Sequence, residues 1–207
     1  MTLLDRLAAA AETLSAAEVV AVLLAVTYLL LVIRQNILCW AAALASVLIY
    51  LVIFFNAQLY MESVLQIFYA AMAVYGWYQW KYGGVGHQGL RIITWRLHHH
   101  AIVIGGILVS TVAFGWVLSA TDAALPYLDS FTTVAAVVTT YMVTRKVLEN
   151  WAYWFVIDGL SVYLYVSREL YLTAGLFVLY LVMIVIGFRC WWRDWRTETA
   201  DAIVAAA

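Results

Sequence analysis

Charge is scarce in this sequence: of 207 residues, 11% are charged and 67% hydrophobic, and the mean hydropathy is +0.93. So few charges cannot clothe a water-facing surface, which excludes a soluble domain and leaves an integral membrane protein. Proline is nearly missing. Pro126 lies in a loop between apolar runs, so spanning helices must bend elsewhere, with Gly76, Gly159 and Gly187 as candidate hinges. Cys39 and Cys190 make no repeating pattern and predict no disulfide. The lysines are Lys81 and Lys146, neither within the last apolar run, which excludes a retinal Schiff base. All four histidines, His87 and His98 to His100, fall in one loop. That leaves no His-Glu-x-x-His pair and no Ser–His dyad within the apolar runs, so the chain reads as not an enzyme. No thiol or carboxylate cluster joins the histidines; a solvated juxtamembrane loop is expected there, with no metal and no cofactor. No basic patch suggests nucleic acid. The N-terminal stretch MTLLDRLAAAAETLSAAE sets Asp5, Glu12 and Glu18 against Arg6. Lacking the basic n-region of a cleaved signal, it is expected to lie on the membrane surface as a short amphipathic helix.

What the chain does contain is apolar runs long enough to cross a core about 30 Å thick. They fall at about 18–33, 37–55, 61–80, 98–119, 130–144, 148–166 and 169–191, predicting an all-α protein of seven transmembrane helices. With the N-terminus outside, nine of the eleven basic residues lie on the inner side: Arg34, Lys81, Arg91, Arg96, Arg145, Lys146, Arg189, Arg193 and Arg196. Arg6 and Arg168 remain outside. Because Lys and Arg accumulate on the cytoplasmic face, the C-terminus is expected to be cytoplasmic.

Sliding the chain along itself exposes a repeat at an offset of 111, without a gap. Arg34 falls on Arg145, Trp40 on Trp151, Tyr60 on Tyr171, Tyr69 on Tyr180, Gly76 on Gly187 and Trp80 on Trp191. Runs one to three therefore match runs five to seven. Three crossings are odd, so the fourth run restores the direction, giving two parallel three-helix repeats joined by a linker helix. The whole chain, 1–207, reads as one membrane domain: repeat one about 18–81, linker about 98–119, repeat two about 130–192.

The repeat makes one stretch conspicuous. In NWAYWFVID, Asn150, Trp154 and Asp158 are spaced by four and share a helical face. Their counterparts Cys39, Ala43 and Val47 carry no charge. An Asp at a membrane helix centre costs on the order of 2.5–3.5 kcal/mol on insertion scales, and an asymmetric ligand would require such asymmetry. The third run adds Gln66, Tyr69, Ala73, Trp77 and Trp80 on one face, and the seventh adds Phe177, Tyr180, Met183, Phe188 and Trp191. Bland readings stand beside these: an interfacial aromatic belt for Trp191, Trp192 and Trp195 and equally for Trp77 and Trp80, a helix cap for Asn150, packing or an interfacial place for Trp40 and Trp151, and a structural carboxylate for Asp158. As ligand groups, stacked indoles with one carboxylate favour a flat cationic ring, and Gln66 and Asn150 match a carboxamide.

These features resemble the PnuC family of bacterial vitamin transporters, whose best-known members carry nicotinamide riboside. The residues carrying the resemblance are the Asn150–Trp154–Asp158 series within ENWAYWFVIDGLSVYLY, the YGWYQWKYG end of the third run and the parallel repeat. It covers roughly Val19 to Trp195. The resemblance implies a SWEET-like seven-helix fold, a homotrimer in the inner membrane, and facilitated diffusion of nicotinamide riboside with trapping by a cytoplasmic kinase. The substrate site would comprise Asn150, Trp154, Asp158, Gln66, Tyr69, Trp77, Trp80 and Tyr180. Related members carry thiamin or riboflavin, which stay as alternatives, beside a non-transporting receptor or structural subunit.

Overall fold

A computed structural model describes residues 15–121 and 125–206; most of the stretch expected to lie as a surface helix is outside them. The described chain forms α1 (Ala16–Ile33), α2 (Cys39–Asn56), α3 (Tyr60–Tyr82), α4 (Leu97–Leu118), α5 (Pro126–Thr144), α6 (Asn150–Ser167) and α7 (Tyr171–Ala206), with a single 3-10 turn at Val85–His87. Four helices, α1, α2, α4 and most of α7, are long and apolar enough to cross a membrane, at hydropathies of 2.1 to 2.6. The other three carry more polar groups: Glu62, Gln66 and Lys81 in α3, Asp129 and five threonines in α5, Asn150 and Asp158 in α6. Helices that face one another around an internal cavity can bear such residues where lipid-facing ones cannot.

Local chemistry explains the helix ends. Ser15 and Glu18 form a reciprocal capping box that starts α1. Pro126 is not a loop residue as expected; it opens α5 at its first turn, where its missing N–H has no helical partner to lose. Four helices stop at a left-handed residue: Gln35 (φ 52), Gln58 (φ 63), Lys146 (φ 51) and Glu169 (φ 59). At each, paired backbone hydrogen bonds close the last turn, as in Gln35 N to Val32 O and Asn36 N to Leu31 O, and in Lys146 N to Val143 O and Val147 N to Met142 O. A side chain in that conformation costs on the order of 1 kcal/mol. α7 runs well past the expected end at 191, because the segment after Trp191 contains neither glycine nor proline and Asp194 is tied back to Gln35 at 2.9 Å.

Helices α1, α2 and α3 pack in succession, α6 packs on α7 and on α5, and α4 packs on α5. The halves meet where α3 crosses α5 and where α1 crosses α7. Four tryptophans fill that meeting place. Trp40 and Trp80 are edge to face at 5.4 Å, Trp151 and Trp191 likewise at 5.4 Å, and Trp80 lies 6.1 Å from Trp191. Such pairs contribute about 0.5–1.5 kcal/mol each beyond burial. The Trp80 indole donates to Val143 O at 3.1 Å and the Trp191 indole to Val32 O at 3.0 Å. Gly76 and Gly187 act here by size, since a Cβ at either would overlap the indole of Trp40 or Trp151. Trp191 is fully buried in this cluster, so the interfacial reading fails for it: its N–H needs a carbonyl, and Val32 supplies one.

Candidate functional site

Residues four apart on a helix share a face, and the α6 face bearing Asn150, Trp154 and Asp158 opens on a cavity of about 340 Å³. Tyr28 of α1, Tyr69 of α3 and Tyr180 and Phe177 of α7 complete its aromatic wall. Phe177 and Tyr180 meet edge to face at 5.6 Å. Helices from both halves of the chain contribute, so no single three-helix unit contains the cavity.

Asn150 is the first residue of α6, not its cap. Its Nδ2 donates to Val147 O at 2.6 Å, while its buried Oδ1 has no partner among the described residues. The indole N–H of Trp151, which also lines the cavity, is buried and unpaired as well. An unsatisfied buried polar group costs about 1–3 kcal/mol. An acceptor and a donor thus stand on adjacent residues, so a ligand group reaching the first must donate and one reaching the second must accept. Asp158 is 5% exposed, and no hydrogen bond or ion pair reaches it from the described residues. The structural reading of that carboxylate needs a neighbouring helix to donate to it, and none does.

Five of the eight expected site residues, Tyr69, Asn150, Trp154, Asp158 and Tyr180, line this one cavity. Gln66, Trp77 and Trp80 lie outside its lining. On α3, Tyr69 is the residue that faces the cavity. Trp77 is 39% exposed, with the Lys81 ammonium 4.9 Å from its ring centroid. Trp80 is committed to the tryptophan cluster through its bond to Val143. The three α3 positions thus divide between cavity (Tyr69), cluster (Trp80) and surface (Trp77), since at 100° per residue Trp77 turns about 80° away from Tyr69.

Sequence reasoning passed over Trp151 as packing, and it passed over Tyr28 altogether. It also missed Lys146, whose Nζ donates to Gln35 Oε1 at 3.1 Å and sits 4.6 Å from the Trp80 ring centroid. The offset contained that signal, since Gln35 and Lys146 are separated by 111 positions. His98 to His100, read as part of the histidine loop although the fourth run is expected from about 98, form the first turn of α4, as that run's start has it. The chain before it docks on the α5–α6 break: Ile93 bridges Val147, Trp95 N donates to Glu149 at 3.2 Å, and His100 Nδ1 is 2.9 Å from the Tyr153 hydroxyl.

A family profile described as nicotinamide mononucleotide transporter matches residues 15–193. The chain belongs to the PnuC family of vitamin transporters. It is 25% identical over 186 residues to the nicotinamide riboside transporter PnuC of Escherichia coli K12, covering 77% of this chain and 78% of that one. To the riboflavin/roseoflavin transporter RibM of Streptomyces davaonensis it is 28% identical over 142 residues, covering 66% of each. A crystal structure of the vitamin B3 transporter PnuC superposes with a TM-score of 0.70 at 21% identity, over 87% of this chain and 82% of that one. This last likeness establishes the fold. A membrane transporter with several apolar spanning helices is therefore shown by family and composition together.

Proposed function

We propose that this PnuC-family chain imports nicotinamide riboside across the bacterial inner membrane by facilitated diffusion, as a uniporter, with a cytoplasmic kinase trapping the product. The observation that carries the reading is the gathering of Asn150, Trp154 and Asp158 on one cavity with Tyr69 and Tyr180. A flat cationic ring would stack on Trp154, its amide would meet Asn150 and Trp151, and the ribose hydroxyls would donate to Asp158.

The frame we propose is SWEET-like: one membrane domain of seven spans, N-terminus outside, with repeats of about 18–81 and 130–192 and a linker at about 98–119, assembling as a homotrimer. Matching element ends support the repeat. α2 and α6 begin at Cys39 and Asn150 and end at Asn56 and Ser167, while α3 and α7 begin at Tyr60 and Tyr171, each pair separated by the same 111 positions as Gln35 and Lys146. The left-handed residues Gln58 and Glu169 fall in register too.

Uptake of labelled nicotinamide riboside into kinase-free proteoliposomes tests the mechanism. Equal internal and external concentrations, reached without any ion gradient, are expected. Accumulation above the external level that depends on a sodium or proton gradient would overturn uniport.

A further inference from the structure

The bundle contains a second cavity, of about 190 Å³. Ala25, Tyr28, Tyr69 and Trp154 line both cavities, so the two spaces adjoin along these residues. The second is lined by Trp40, Ala43, Val47 and Ala73 where the first has Trp151, Trp154, Asp158 and Ile184, each pair 111 positions apart like Gln35 and Lys146. It is the counterpart of the first cavity with alanine or valine at the positions that answer to Trp154, Asp158 and Ile184.

Its chemistry differs accordingly. No charged side chain lines it. The hydroxyls of Ser46 and Thr140 already donate to helix carbonyls, Ala21 O at 2.9 Å and Ala136 O at 2.8 Å. Trp40 brings a buried indole N–H without a partner among the described residues. An uncharged, flat heteroaromatic group with a ring nitrogen or carbonyl as acceptor meets those terms. A space of 340 Å³ is close to the lower end of the range for small-molecule sites, about 300–1,000 Å³. It suits a one-ring nucleoside, whereas a fused ring bearing a sugar chain needs the adjoining space as well.

We propose that the second cavity is a ligand subsite, held open by the small side chains Ala43 and Ala73. It takes the uncharged fused-ring portion of a ligand whose polyhydroxylated chain reaches Asp158. This rests on reading the first cavity as the substrate site.

Isothermal titration calorimetry on the detergent-purified protein, with nicotinamide riboside and riboflavin as the two probes, tests it. The wild type is expected to bind both. Ala73→Ile and, as a milder change at a second position, Val47→Leu narrow the subsite; each is expected to weaken riboflavin at least tenfold more than nicotinamide riboside. Wild-type binding of nicotinamide riboside alone would overturn the subsite and leave the proposed function standing. Equal weakening of both ligands would also overturn it, since that is the effect of disturbed packing. Binding of riboflavin alone, weakened at least tenfold in both variants with melting temperatures unchanged, would support the subsite and sink nicotinamide riboside as the substrate.

Discussion

Helix α2 packs Trp40 over Gly76 and α6 packs Trp151 over Gly187, yet one to two turns further along α2 carries Ala43 and Val47 where α6 carries Trp154 and Asp158. The first contact is the same in both halves because it is set by volume: an indole fits only where the facing residue has no Cβ. The second differs because nothing in the packing requires it. Scaffold and chemistry are thus separated along a single helix, three to seven residues apart, and the comparison shows which residues can be exchanged between the halves and which cannot.

Replacing Asp158 by its counterpart's valine should have the largest effect. Loss of a buried charged acceptor costs about 2 kcal/mol or more, so nicotinamide riboside affinity measured by calorimetry should fall about thirtyfold or beyond, with the fold intact by circular dichroism. Unchanged affinity would mean that the asymmetry of α6 serves something other than the ligand.

Gly187→Ala and Gly76→Ala attack the shared contact instead. Overpacking costs about 1–3 kcal/mol, and thermal unfolding in detergent should show the two variants destabilised to a similar degree. A large loss in one and none in the other would show that the halves do not use the contact alike. Exchanging Trp154 for its counterpart's alanine should lower affinity roughly tenfold, through lost stacking of about 1–2 kcal/mol, with little change in melting temperature.

The smallest effect belongs to the break where the halves touch. Burial lowers the pKa of the Lys146 ammonium from its ordinary 10.5, against the pull of Glu198. A cation disfavoured by folding leaves the unfolded chain binding more protons between the lowered value and the ordinary one. Stability therefore rises with pH across that alkaline window. Melting temperature should show this slope in the wild type and lose most of it in Lys146→Met.

Much of this was legible in order. Seven helices follow from seven apolar runs, and the Asn150–Trp154–Asp158 face follows from a spacing of four. The ends were harder: α5 begins earlier and α7 finishes later than hydropathy marked, since a first-turn proline and a polar helical extension carry no apolar signal. Trp80 shares a helical face with Tyr69, but face alone cannot say how far along the axis a cavity extends. Trp151 read as packing and proved to do two things at once, filling the space over Gly187 and lining the cavity.

The sequence by itself determined the solvent, the number of helices and the residues that break the repeat, because hydropathy, periodicity and self-similarity are properties of the chain alone. Tertiary structure decided which aromatic residues face a ligand and which close the bundle. A buried indole N–H is costly without an acceptor, and only the packing shows that Val143 and Val32 satisfy Trp80 and Trp191 while Trp40 and Trp151, beside the two cavities, have no partner among the described residues.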